Sequence, residues 1–129
     1  MNLLKKIHHV AIICSDYERS KQFYTNILGF EIKNEVYRKD HDSFKLDLML
    51  NGEYAIELFS FPKPPLRVSR PEAAGLRHIA FEVDDLELVL VHLKTTNIDF
   101  EAIRIDEYTN KRFTFINDPD NLPIELYEK

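Results

Sequence analysis

The chain is poor in cysteine, in net positive charge and in long apolar runs, and each shortage removes a class of protein. Cys14 is the only cysteine among 129 residues, so no internal disulfide forms, in keeping with a reducing compartment. No apolar run approaches the length that spans a bilayer. The opening Met1-Asn2-Leu3-Leu4-Lys5-Lys6 leads into no long apolar core, so a cytoplasmic protein without a membrane partner is expected. Seventeen basic residues against 22 acidic ones leave a formal charge of −5, which argues against a nucleic-acid partner. One stretch runs the other way: Lys63, Arg67, Arg70 and Arg77 are interrupted only by Glu72. It reads either as a solvated loop or as a basic lip that attracts an anionic substrate. The 44% hydrophobic and 30% charged composition is that of an ordinary globular protein, one compact unit or two small modules sharing a core.

What the chain does have is an internal repeat. Ile7-His8-His9-Val10-Ala11-Ile12 returns as Leu76-Arg77-His78-Ile79-Ala80-Phe81, and Ala55-Ile56-Glu57-Leu58-Phe59 returns as Pro123-Ile124-Glu125-Leu126-Tyr127. His9 and Glu57 are 48 positions apart, and His78 and Glu125 are 47. Ser15 to Glu18 and Asp84 to Glu87 align as capping boxes, each predicting a helix directly after the His-bearing segment. The first runs from about Tyr17 to Ile27 and the second from about Leu86 to Thr95, with Gly29 and Asn97 as stop residues.

Extended segments follow. Phe30 to Arg38, Phe44 to Leu50 and Glu53 to Phe59 read as strands, the last two joined by the Asn51-Gly52 hairpin turn. Phe100 to Ile105, Arg112 to Ile116 and Leu122 to Tyr127 are their counterparts, with Asp118-Pro119-Asp120-Asn121 as a longer turn. Each half is strand, helix, strand, strand, strand. The first module covers about 5–60, the second about 76–128, and a proline-rich linker of about 61–75 joins them.

Strand alternation places His9 with Ala11 and Ile13, and His78 with Ala80 and Glu82. Glu57 falls with Ala55 and Phe59, and Glu125 with Pro123 and Tyr127, in each case opposite an apolar pair that suits a helix-covered face. A carboxylate in mid-strand must be exposed, paired, protonated or bound to a cation. Either histidine or either glutamate alone reads as an ordinary surface or hydrogen-bonded residue. Two of each, at matched spacing and matched alternation, read as a divalent metal site with His9, Glu57, His78 and Glu125 as ligands. Imidazole with carboxylate suits Zn, Ni, Co, Mn or Fe and argues against Ca or Cu(I). Arg77 aligns with His8, so the repeat selects His9 as the ligand.

These residues, together with Ser20, Phe23-Tyr24, Leu28-Gly29-Phe30 and Asn117-Asp118-Pro119-Asp120, resemble the vicinal oxygen chelate superfamily, and within it the small glyoxalase I-like bacterial proteins. The resemblance covers nearly the whole chain. It implies an α+β fold, two βαβββ modules forming a cup-shaped, incompletely closed mixed β-barrel with helices outside and one divalent metal ion per site. By the same resemblance the protein is a lyase or isomerase. Proton transfer passes through a metal-stabilised enediolate of an α-hydroxycarbonyl or thiol adduct, with Glu57 and Glu125 as candidate bases. The resemblance also implies a homodimer, in which a metal site is held within one chain or shared between two. The full His-Glu-His-Glu set disfavours a ring-cleaving dioxygenase, an epimerase or a non-catalytic antibiotic-binding relative, which are the rival readings.

The sequence departs from the glutathione-using enzymes at two places. They carry Arg four residues after the first His ligand and Asn four after the first Glu, where this chain has Ile13 and Phe61. Use of glutathione is therefore not expected. A replacement contact is sought at Lys111 or Arg112, and Arg112 is preferred as a substrate-binding residue because Phe113 and Phe115 suit the face beneath the helix.

Overall fold

The computed structural model describes all residues, 1–129. The chain divides into two compact units, Met1–Pro65 and Leu66–Lys129. No helix is long and apolar enough to cross a membrane.

The N-terminal unit contains β1 (Val10–Cys14), α1 (Tyr17–Gln22), β2 (Glu31–Arg38), β3 (Ser43–Leu50) and β4 (Glu53–Ser60). Its sheet has the order β1-β4-β3-β2, with β1 parallel to β4 and the other pairs antiparallel. The C-terminal unit repeats the plan with β5 (Ile79–Val83), α2 (Leu86–Thr95), β6 (Arg104–Ile105), β7 (Arg112–Asn117) and β8 (Pro123–Glu128). Its order is β5-β8-β7-β6, again with only the first pair parallel. Each unit is thus a βαβββ module, as the repeat predicts.

Both helices are capped by aspartate one position later than the expected capping boxes. Asp16 Oδ1 accepts from the Arg19 N–H at 3.2 Å, and Asp85 Oδ1 from the Leu88 N–H at 3.3 Å. A carboxylate there satisfies an orphan donor and sits at the positive end of the helix dipole. Helix α2 ends as predicted. Asn97 takes a φ of 59°, while the Ile98 N–H reaches Leu93 O at 2.9 Å and the Asn97 N–H reaches Lys94 O at 3.2 Å. That is a Schellman closure. Helix α1 instead widens into a π-helical turn over Phe23–Ile27, with the Leu28 N–H on Phe23 O. The wide turn lets the adjacent Phe23 and Tyr24 both be buried.

Ile12, Cys14, Leu46, Leu48, Ile56 and Leu58 form the buried sheet face in the N-terminal unit, where α1 contacts β4. Thr114, Ile116, Ile124 and Leu126 do the same in the C-terminal unit, where α2 contacts β8. The opposite faces are left to polar and aromatic residues, among them the predicted ligands.

The two hairpins reach their register differently. Asn51 and Gly52 both take positive φ, the requirement of a two-residue hairpin turn. That turn alone would set Asp47 opposite Ile56, but a bulge between Leu48 and Met49 shifts the pairing so that Asp47 faces Glu57. No such bulge interrupts β7 and β8, whose longer turn sets Phe115 opposite Glu125. Buried Asp118 holds that turn: its Oδ1 accepts the Asp120 and Leu122 N–H groups, both at 2.9 Å. Asp118→Ala is expected to lower unfolding stability by about 2–4 kcal/mol, read from urea denaturation, because two amide donors lose a charged acceptor.

The expected strand from Phe100 shrinks to Arg104–Ile105. Thr114 Oγ1 takes Glu101 O at 2.6 Å and the Glu101 N–H takes Phe115 O at 3.0 Å. A side-chain hydroxyl therefore replaces one ladder donor and ends regular pairing.

Candidate metal centre

His9 and His78 each stand one residue before the first strand of their unit, while Glu57 and Glu125 lie inside the last strand. The parallel ladders give both units one relation, Ala11 beside Glu57 and Ala80 beside Glu125. A small side chain next to each carboxylate leaves it open on the His side. His9 Nε2 lies 3.7 Å from Glu57 Oε1, and His78 Nε2 lies 4.0 Å from Glu125 Oε1. Both gaps exceed a hydrogen bond. They match two atoms that share an ion, since ligands each about 2.1 Å from a metal sit roughly 3–4 Å apart. The Glu125 side chain is 17% exposed, and the ionisable group beside its carboxylate is His78. His78 Nδ1 is buried without a partner. Within each unit, the imidazole and the carboxylate are therefore spaced as two ligands of a divalent ion would be.

The surroundings of the two half-sites differ. Around Glu57 stands a polar network. The Tyr54 hydroxyl lies 2.8 Å from Asp47 Oδ1 and 3.1 Å from Glu57 Oε2, and its ring stacks on His9 with centroids 4.9 Å apart. Lys45 Nζ donates to both oxygens of Asp47 at 2.8 and 2.9 Å and stands 3.5 Å from Glu57 Oε2. Burial, then the hydrogen bonds to Asp47 and Glu57, hold the Tyr54 phenol well above its usual range. Burial disfavours the Asp47 carboxylate, but Lys45 and Tyr54 outweigh it and keep Asp47 below the usual carboxylate range. His8 Nδ1 lies 2.8 Å from His9 Nδ1, which directs His9 Nε2 toward Glu57. Around Glu125 the neighbour is aromatic: Phe115 is its cross-strand partner and meets His78 edge-on at 5.1 Å.

Lys45, Asp47, Tyr54 and Phe115 were not among the expected site residues. The alternation of β4 already carried one signal, because a cross-strand partner shares the face of its glutamate.

That rule also corrects Arg112. Phe113 and Phe115 pair with Tyr127 and Glu125, so they lie on the Glu125 face, and Arg112, Thr114 and Ile116 take the other. The guanidinium of Arg112 makes a two-pronged contact with Glu87 at 2.7 Å and two bonds with Glu128 at 2.7 and 2.8 Å. It is spent joining α2 to β8. Of the three neighbouring acids Asp85, Glu87 and Glu128, the last two are thus ion-paired with it, while Asp85 caps α2. Arg112, with the Leu86 N–H at 2.8 Å, pulls the Glu128 carboxyl down to about 2. A depressed folded value means stability that is present above the ordinary 4.5 and is lost as pH falls toward about 2. Glu128→Gln should accordingly be less stable than wild type at neutral pH, and a urea-midpoint series should show that difference closing between these two values.

Ile13 is exposed and Phe61 is half-buried against Phe59, with the Arg38 guanidinium 5.6 Å over the Phe61 ring. Neither position offers the polar contact of a glutathione-using enzyme.

A βαβββ module used twice, with an imidazole and a carboxylate at matched places in each copy, defines a class of paired-module proteins. The chain belongs to the Glyoxalase/Bleomycin resistance protein/Dioxygenase superfamily, whose family model matches residues 6–126. It is 62% identical to the protein YaeR of Escherichia coli (strain K12) over 98% of both chains. It is 61% identical to YwkD of Bacillus subtilis (strain 168) over 98% of this chain and 99% of that one. The crystal structure of a glyoxalase family protein from Enterococcus faecalis matches with a TM-score of 0.91 at 45% identity, covering 98% of this chain and 100% of that one. More distant relatives include the human mitochondrial methylmalonyl-CoA epimerase, 31% identical over 74% of this chain and 56% of that protein. The lactoylglutathione lyase of Schizosaccharomyces pombe is 24% identical over 94% of this chain and 46% of that protein.

Proposed function

We propose that this protein is a metal-dependent lyase or isomerase of the glyoxalase I type. It would move a proton between adjacent carbons of an α-hydroxycarbonyl or thiol-adduct substrate. The observation that carries this reading is the repeated half-site, His9 with Glu57 and His78 with Glu125, at nitrogen–oxygen separations of 3.7 and 4.0 Å. Together the half-sites furnish the ligand set of one divalent ion, in one chain or in a homodimer. When bound, the ion polarises two vicinal oxygens of the substrate and acidifies the neighbouring C–H.

The chain's own residues divide the remaining work. Glu57 is held in place by Tyr54 and Lys45, so it acts as a fixed ligand. Glu125 has no donor restraining its carboxylate, and it is the group free to take the proton from one carbon and return it to the next. Phe115, its cross-strand partner, and Phe113 lie on the same sheet face as that carboxylate. Tyr54 and His8 orient His9. The departures at Ile13 and Phe61 point to a substrate other than the usual glutathione adduct.

Metal analysis, followed by assay of each metal-loaded form on methylglyoxal adducts of several thiols, tests the reading. Bound divalent metal and hydroxyacid product are expected. An absence of turnover with every metal and thiol would favour a ligand-binding protein instead.

A further inference from the structure

Beside His78, within the C-terminal unit, lies a cavity of about 640 Å³ whose wall includes four arginines, Arg67, Arg70, Arg77 and Arg104, and two glutamates, Glu72 and Glu101. The chain as a whole is acidic, at −5, so this excess of positive charge is local. A volume of this size matches that of a small-molecule site.

The arginines are not equivalent. Arg67 is structural: its Nη2 donates to the carbonyls of Leu76 and Arg77 at 2.7 and 2.9 Å, and its Nε to Ser69 Oγ at 3.0 Å. It clamps the two ends of the loop that carries Arg70 and Arg77. Ser69 Oγ in turn reaches Asn121 O at 3.4 Å, joining the loop to the turn before β8. A solvated loop has no need of such bracing. Arg70 and Arg77 share the single carboxylate of Glu72 at 3.6 and 3.9 Å, beyond hydrogen-bond distance from either. Both guanidinium groups keep their donors. Arg104 contacts Glu101 through Nη2 at 3.0 Å, and its guanidinium lies 5.0 and 5.5 Å from the ring centres of Phe113 and Phe115. Those rings share a sheet face with Glu125, and Phe115 touches His78.

We infer that this cavity is an oxyanion subsite: the substrate carries a carboxylate or phosphoryl group held by Arg70, Arg77 and Arg104, while its reacting end lies toward His78. Guanidinium forks suit both groups, because each presents paired oxygens to paired N–H donors. As a statement about the substrate, the inference rests on the function proposed above. The anion site itself requires neither metal nor turnover.

The test is calorimetric titration of the metal-free full chain with inorganic phosphate, acetate and glutathione, and with neutral hydroxyacetone as the control. Removing the metal prevents anions from binding at the ion. At least one anion is expected to bind, with affinity that falls as salt rises. The Arg77→Gln/Arg104→Gln variant should bind it at least tenfold more weakly, while Arg19→Gln binds as wild type. These two arginine side chains are 64% and 53% exposed, so the variant should keep the wild-type thermal midpoint. The anion that binds best tells a phosphoryl from a carboxylate or a peptide carboxylate source. Failure of all three anions to bind, or equal binding by the double variant, overturns the inference. Anion binding without turnover under any metal would retain the subsite and remove the lyase reading. Turnover without anion binding would do the reverse.

Discussion

Glu125→Gln is expected to lower kcat by about 10²–10⁴ while the protein still binds its divalent ion, because glutamine keeps an oxygen ligand and loses the proton acceptor. The equivalent change in the other half-site should behave differently. Glu57 is the target of a hydroxyl at 3.1 Å and an ammonium at 3.5 Å, both arranged for a carboxylate. Glu57→Gln therefore disturbs ligand placement and should weaken metal binding more than it slows turnover per bound ion. Glu125 has no such donor: its cross-strand partner is Phe115, and His78 Nε2 stands 4.0 Å away. The measurement is kcat normalised to metal content, with metal affinity taken separately from chelator competition. Full activity of Glu125→Gln at full occupancy would remove Glu125 from the role of base. A loss of kcat confined to Glu57→Gln would exchange the two roles.

The two His–Glu pairs were legible in the sequence because the chain states them twice. A duplicated His and Glu, each on the face away from an apolar pair, survives small errors in strand limits. The ends of α2 were legible for a similar reason, since Asn97 needs a positive φ to close the helix. The second layer of the site was hidden by register. An ideal Asn51-Gly52 hairpin sends Asp47 to the buried face, and only the bulge at Leu48/Met49 brings it beside Glu57. Bulges leave no reliable trace in residue pattern. Arg112 went to the wrong face because two phenylalanines look like core, yet their partners across the ladder are Tyr127 and Glu125. Aromatic rings occur on the Glu125 face as well as on a helix-covered one, and hydrophobicity alone cannot tell the two apart. The basic stretch was readable as charge, but the role of Arg67 as a clamp depends on the carbonyls of Leu76 and Arg77, which no composition reveals.

The bulge makes a second large effect predictable. Asp47 is buried, and its two oxygens engage Lys45 and Tyr54, so the Lys45 ammonium sits closer to Asp47 than to Glu57. In Asp47→Asn the negative charge is gone and one acceptor becomes a donor. Lys45, already 3.5 Å from Glu57 Oε2, is then left with Glu57 as its nearest carboxylate. An ammonium drawn onto that oxygen competes with the metal for it. The expected result is a 10–100-fold loss of metal affinity, the usual scale for removing a group that orients a ligand. The sign of the explanation can be checked with Lys45→Met added to Asp47→Asn. If the competing cation is the cause, the double variant binds metal more tightly than Asp47→Asn alone. If Asp47 acts only by placing Tyr54, the second substitution restores nothing, and Tyr54→Phe alone reproduces the loss. Chelator competition on the three proteins separates these cases, and unchanged affinity in Asp47→Asn would show that Glu57 needs no support from β3.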